Sequence, residues 1–167
     1  MRISLAAVAA GLMLASVASA VHSQKPDTQI DARSLEWLAK GKAAVAAGKL
    51  DEATDDLETA LAVDPRNRAA FIALGDAARR QGLNGKAIRH YRDAMLLDPN
   101  DTAAIGGEGQ ALLAKGAVTQ AKADLSRLQK LCKGACPEAQ QLAAAIAKGP
   151  PATALAQQVD TSDKPWE

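Results

Sequence analysis

The sequence predicts an all-α helical-repeat solenoid, and three observations carry that prediction. A pattern of 34 residues recurs in unbroken register from Ser34 to Ala135, in copies spanning 34–67, 68–101 and 102–135. Each copy holds two segments whose apolar residues recur at helical spacing, such as Ser34 to Ala47 and Asp51 to Val63. Glycine and proline punctuate the copies at matching positions, Gly48, Gly82 and Gly116 after the first segment and Pro65 and Pro99 after the second. Each copy is therefore a helical hairpin, and the hairpins must stack to bury their apolar faces.

In chain order, the first stretch is Met1 to Ala20. One basic residue, Arg2, an apolar run from Leu5 to Leu14 and the small triplet Ala18-Ser19-Ala20 make the three parts of a secretory signal peptide, with cleavage expected after Ala20. The apolar run is short for an uncleaved membrane anchor, so no stable span is expected after cleavage. No cysteine follows it to carry a lipid and no twin arginine precedes it, which favours ordinary export in the unfolded state. The expected location is the periplasm or the cell exterior. Without Arg2, the 20 basic residues fall to 19 and match the 19 acidic ones. A neutral surface of mixed sign argues against nucleic acid, whose binding needs a basic patch.

Residues 21–33 lack periodicity and read as a linker, with Asp31 or Ser34 offered as the N-cap of the first helix. In the repeats, Trp37 falls on Phe71 and Ile105, Gly41 on Gly75 and Gly109, Ala53 on Ala87 and Ala121, and Leu57 on Tyr91 and Leu125. Gly41, Gly75 and Gly109 lie inside the first helix at a cost of about 1 kcal/mol each relative to Ala, which predicts close approach of the second helix. Ala53, Ala87 and Ala121 are expected to face them, and Trp37, Phe71 and Ile105 to fill the space between turns. Asp51 and Glu52 suit a helix start, Asn84-Gly85 is expected to form a turn, and Asn100-Asp101-Thr102 to cap the third copy. With 48% apolar but only 2% aromatic residues, the core is built mostly from Ala and Leu, which suits closely packed helices.

The third copy ends differently. Lys133 replaces the closing proline and is flanked by Cys132 and Cys136, after which Pro137-Glu138 opens a last amphipathic segment over 136–148. Two cysteines four apart in an exported chain are most simply a structural disulfide. The alternatives are a redox pair, although the spacing is not Cys-x-x-Cys, and a zinc site, which would lack two ligands. Residues 149–167 read as a flexible tail in which Trp166 could dock on a partner or on the array itself.

The period, the aromatic or large apolar residue with Gly four on, the Ala twelve beyond and the closing Pro resemble the tetratricopeptide repeat family. The resemblance implies three helix-turn-helix units, a capping helix at 136–148 and a concave groove along the first helices that holds a peptide or a helix of another protein. Its groove-facing positions, carried over residue by residue, are Leu35, Leu38, Lys42 and Val45, then Ala69, Ile72, Asp76 and Arg79, then Ala103, Gly106, Gln110 and Leu113. One branch of the family clamps a C-terminal carboxylate with Lys and Asn at two of these positions. Here they hold Leu38 and Lys42, so that specificity is not implied, and an amphipathic segment suits the mixed strip better.

Catalytic chemistry finds little support. His22 and His90 have no acid and nucleophile at useful spacing, and His90 reads as a surface helix residue. Gly106-Gly107-Glu108-Gly109 lacks the Lys-Ser/Thr of a phosphate loop, and Asp55-Asp56-Glu58 reads as a solvated face. No enzyme activity, cofactor or metal is expected. The expected role is a non-enzymatic interaction scaffold of the cell envelope with a protein or peptide partner. Two alternatives stand beside it: an envelope thiol-redox or cytochrome-maturation accessory factor using Cys132 and Cys136, and a self-associating repeat protein.

Overall fold

A computed structural model describes residues 29–133 and 136–154. The leader, most of the linker and the tail from 155 onward, with Trp166, lie outside the described residues. Within them the chain runs through α1 (Ala32–Ala46), α2 (Leu50–Val63), α3 (Arg68–Arg80), α4 (Asn84–Leu97), α5 (Thr102–Ala114), α6 (Val118–Leu131) and α7 (Pro137–Lys148). Consecutive helices pair as α1–α2, α3–α4 and α5–α6, and α7 packs on both helices of the last pair. First helices also meet one another, α1 with α3, α3 with α5 and α5 with α7, which lays four helices side by side. The architecture is the predicted solenoid of three hairpins with a capping helix. Among the described residues no helix is long and apolar enough to cross a membrane.

The hairpin turns follow from backbone sterics. Gly48, Gly82 and Gly116 have φ of 76°, 77° and 81°, the left-handed region that only glycine enters without strain. Asn84-Gly85 is not the turn. The chain has already reversed at Gly82-Leu83, and Asn84 is the first residue of α4. Between hairpins, Asp64 and Asp98 end α2 and α4 in extended conformations just before Pro65 and Pro99.

Asp31 is the N-cap of α1, its carboxylate accepting from the Arg33 amide. Ser34 is not a cap. It is fully buried, donates from Oγ to the Ala60 carbonyl at 2.7 Å and accepts from Asn67 Nδ2 at 2.8 Å. Asn67 in turn caps α3 by accepting from the Ala70 amide, so one polar network joins both helices of the first hairpin to the start of the second. Arg68 reaches the other way, to Asp98 at 2.7 Å and Asp101 at 2.8 Å.

Fully buried Leu57, Tyr91, Ile105, Leu128 and Leu142 hold the layers together, each worth about 1.5–3 kcal/mol of transfer free energy. The glycines inside the first helices do mark close approach, chiefly to large side chains, and of the expected alanines Ala53 comes near, its carbonyl oxygen 3.3 Å from where a Cβ of Gly41 would lie. A Cβ at Gly41 would lie 2.5 Å from Leu57 Cγ, at Gly75 2.6 Å from the Tyr91 ring, and at Gly109 2.5 Å from Leu142 Cδ2. Ala53, Ala87 and Ala121 are wholly buried beside these contacts. Of the three residues expected between turns only Ile105 is fully enclosed, while Trp37 and Phe71 are half-buried. Trp37 lies on the outermost hairpin, where Lys40 covers its ring at 4.0 Å from the centroid.

Candidate functional site

The side-by-side first helices leave a groove built from two depressions. One, of about 250 Å³, is lined by Lys42 and Val45 of α1, Ala69, Ile72, Ala73 and Asp76 of α3, and Ala103 of α5. The next, of about 210 Å³, shares Ile72, Asp76 and Ala103 and adds Arg79, Gly106, Gly107, Gln110 and, from α7, Glu138 and Gln141. The shared residues make one continuous trough from α1 to the cap. Helical spacing explains the lining, since 42 and 45, 69, 72, 76 and 79, and 103, 106 and 110 each follow one face of a helix.

The positions carried over from the repeat pattern divide into three sets. Lys42, Val45, Ile72, Asp76, Arg79 and Gln110 line the trough together, with Ala69, Ala103 and Gly106. Leu38 and Leu113 do not line it. They are 8% and 5% exposed and belong to the core, Leu38 with Leu57 and Leu74, Leu113 with Ile88 and Leu112. Leu35 is 48% exposed and lines a further depression of about 720 Å³ with Ile30, Arg66, Asn67, Arg68 and Leu97, which meets the trough at Ala69. That larger hollow is floored by groups already committed elsewhere, Arg66 to Asp64 and Arg68 to Asp98.

Electrostatics in the trough centre on Asp76. Tyr91 Oη donates to its carboxylate at 2.7 Å, and Arg79 Nη2 stands 3.8 Å from the same oxygen. Burial, with the Asp76 charge beside it, holds the Tyr91 hydroxyl above the usual phenol range, so it stays a donor throughout the physiological range. Arg79 Nε is buried with no hydrogen-bond partner among the described residues. Lys42 is exposed and forms no ion pair among the described residues. Two cationic groups thus flank an apolar floor whose central acid, Asp76, is already occupied, with Glu138 at the α7 end.

Three features of this region were not read from sequence. Gly107 presses on the other face of Tyr91, a Cβ there lying 2.4 Å from the ring, so one tyrosine is clasped between α3 and α5. The pair Gly106-Gly107 is the available signal, and a doubled glycine within a helix marks close approach better than it marks a phosphate loop. Glu108 is 6% exposed and accepts from Arg92 Nε at 2.6 Å. Behind it, Asp124 is pushed up to about 6, first by burial and then by the Glu108 charge. His90 is half-buried rather than a plain surface residue, its Nδ1 enclosed, and burial lowers its pKa.

Cys132 and Cys136 lie at bonding distance, with S–S of 2.18 Å and Cα–Cα of 5.6 Å. They end α6 and begin α7, at the far end of the trough. Among the described residues no group of three or more His, Cys, Asp or Glu is placed to hold a metal ion.

Comparison with known proteins agrees with this geometry. No curated protein sequence matches the chain. Among solved structures, the first TPR domain of Spaghetti (RPAP3), bound to the HSP90 peptide SRMEEVD, is similar with 26% identity and a TM-score of 0.63, covering 72% of this chain and 98% of that one. The Sgt2 TPR domain from Aspergillus fumigatus gives 19% identity and a TM-score of 0.66 over 86% and 93% of the two chains. The Arabidopsis OM64 TPR domain gives 20% and 0.63 over 70% and 95%. The family profile described as tetratricopeptide repeat matches residues 38–102 and again 72–137. With the 34-residue period, the stacked hairpins and these matches together, the chain belongs to the tetratricopeptide repeat family.

Proposed function

We propose that this protein is a non-enzymatic interaction scaffold whose trough along α1, α3 and α5 holds an amphipathic segment of a partner protein, in the cell envelope of an exporting cell. The observation that carries the reading is the continuity of the two depressions through Ile72, Asp76 and Ala103, which gives one binding surface instead of isolated dimples. An apolar ridge of the partner would lie on Val45, Ala69 and Ile72, while its carboxylates or carbonyls meet Lys42 and the guanidinium of Arg79. The similarity to a TPR domain solved with a bound peptide supports a peptide-like ligand. Lys42 stands where the carboxylate-clamping branch has another residue type, which favours a ridge over a chain terminus. The envelope location rests on the leader-like Met1 to Ala20 and on the bonded cysteines.

The test is a photoreactive residue placed at Gln110 in the trough and, in a separate variant, at Arg89 on the exposed side of α4. The expected result is one partner crosslinked from position 110, none from 89, and loss of that crosslink in a Lys42→Glu, Ile72→Ser double variant. Equal crosslinking from both positions, unaffected by the double variant, would exclude the trough as the binding site.

A further inference from the structure

Successive hairpins also meet along a seam that shares no residue with the trough, where the end of a first helix reaches the start of the preceding second helix. Between the first two hairpins the chain closes this seam itself. Gln81, the C-cap of α3, donates from Nε2 at 3.0 Å to the carboxylate of Asp51, in the first turn of α2. One repeat of 34 residues later, the corresponding pair is Lys115 and Gly85. The approach is kept, because a Cβ on Gly85 would lie 3.9 Å from Lys115 Nζ. The carboxylate is what the second seam lacks. Lys115 is exposed and forms no ion pair among the described residues.

Neighbouring exchanges open the same place. Ala117 stands for Leu83, which leaves room, and Arg92 stands for Glu58, which turns an acid into a base, while Gln120 for Lys86 goes the other way. Over these positions the balance moves from one net negative charge to two net positive ones. Arg92 gives its Nε to Glu108 at 2.6 Å, so Lys115 carries the charge that the seam leaves unanswered. The result is a depression of about 410 Å³, with exposed Lys115 and Gln120 and buried Ile88 and Leu112 among its lining. That volume falls in the range of small-molecule sites, roughly 300–1,000 Å³. The first turn of α4 holds no acid, where that of α2 holds Asp51 and Glu52, so an incoming anion also meets the positive end of α4.

We propose that this depression binds a small aliphatic carboxylate, with its anion at Lys115 in the place that Asp51 fills one repeat earlier and its stem on Ile88 and Leu112. Gln120 offers an amide to the same anion. The depression takes the whole of such a molecule, stem included, so the ligand is a free one. A partner's acidic side chain, the other source of the same anion, is an outcome of the test. The site is independent of the trough and of what the trough binds.

The test titrates the isotope-labelled mature chain with butyrate and, separately, with butyramide, its uncharged counterpart, and follows amide chemical shifts. Butyrate should shift Gly85, Lys86, Ala117 and Gln120 saturably with a Kd on the order of millimolar, and butyramide should leave them still. Lys115→Gln should weaken butyrate about three- to five-fold, as loss of an exposed charge does. Gly85→Asp, which gives this seam the carboxylate of the first, should weaken it about ten-fold or more, since the chain then occupies Lys115 itself. Both substitutions bring in residues that Gln81 and Asp51 already provide at the same repeat positions, so the fold is kept. Absence of a saturable shift, equal shifts with butyramide, or undiminished binding by both variants overturns the proposal. Inorganic phosphate binding as tightly as butyrate would mark a general anion site and overturn the choice of a carboxylate. A protein crosslinked from position 89, beside this seam, and lost with Lys115→Gln would give the anion to a partner and overturn the free ligand.

Discussion

Tyr91 Oη donates to Asp76 at 2.7 Å, and through this bond a fully buried core residue of α4 fixes the acid that lines the trough. The tyrosine can reach because Gly75 and Gly107 leave room on both faces of its ring. Core packing and trough chemistry therefore share one side chain. Tyr91→Phe should keep the packing, cost about 1 kcal/mol for the lost hydrogen bond, and leave Asp76 to Arg79 alone. Urea unfolding reads the first effect. The second appears as altered partner affinity at unchanged fold by circular dichroism.

The clasp itself predicts a larger loss. Gly107→Ala would place a methyl 2.4 Å from a ring that is wholly enclosed and cannot retreat. Overpacking of this kind costs about 1–3 kcal/mol, against a gain of under about 1 kcal/mol in helix propensity. The net expected outcome is a lower unfolding midpoint. Gly85→Ala is the control, since the nearest atom to its Cβ is Lys115 Nζ at 3.9 Å, and it should be neutral or stabilising.

The polar network between the first two hairpins gives a third prediction. Asn67→Ala removes the cap of α3 and leaves Ser34 Oγ, fully buried, without its donor. A lost cap, together with the loss of one of the two hydrogen bonds of the buried Ser34 hydroxyl while its bond to Ala60 remains, predicts roughly 1–2 kcal/mol of destabilisation. Asn67→Asp keeps the cap but not the donor, and should fall between.

Stability should also depend on pH in two opposed ways. Asp64 is held well below the usual carboxylate range, mainly by the Arg66 side chain, with the Asp31 amide also donating to it. A lowered folded pKa contributes stability that is present above the unfolded value of about 3.8 and is lost as pH falls. Asp124 does the reverse. Its folded pKa of about 6 exceeds the unfolded 3.8, so the native state binds more protons between them and stability falls as pH rises through that window. Arg92 and Arg127 offset part of the burial and of the Glu108 repulsion. Asp124→Asn should remove the decline between about pH 4 and 6 and raise stability at pH 7 by about 1 kcal/mol, discounted for the partial exposure of the site. Urea midpoints at pH 4.5 and 7 for both chains check it.

The repeat was legible because it restates itself. Gly48, Gly82 and Gly116 each meet the same left-handed requirement, and three agreeing copies separate a rule from an accident. The walls of the trough followed from the same register, as Lys42, Val45, Ile72, Asp76, Arg79 and Gln110 show. Depth did not follow. Leu38 and Leu113 share a repeat face with trough residues, but apolar side chains at a face edge turn inward when a neighbouring helix offers cover, and pattern alone cannot see that neighbour. Ser34 misled for a related reason. A serine near a helix start usually caps it, yet here Ala60 and Asn67 arrive from other helices to satisfy the hydroxyl inside. The partners of the inner glycines were likewise set by long side chains reaching between hairpins, from Tyr91 to Gly107 and from Leu142 to Gly109.

The claim that the trough is the interaction surface is tested most directly by mapping a bound segment with amide chemical shifts. The segment identified by crosslinking from position 110 would be titrated into the isotope-labelled mature chain. The expected shifts follow Lys42, Val45, Ile72, Asp76, Arg79 and Gln110 on α1, α3 and α5, leave the exposed faces of α2 and α4 still, and vanish with Lys42→Glu, Ile72→Ser. Shifts confined to α2 and α4, or unchanged binding by that double variant, would contradict the assignment of the trough.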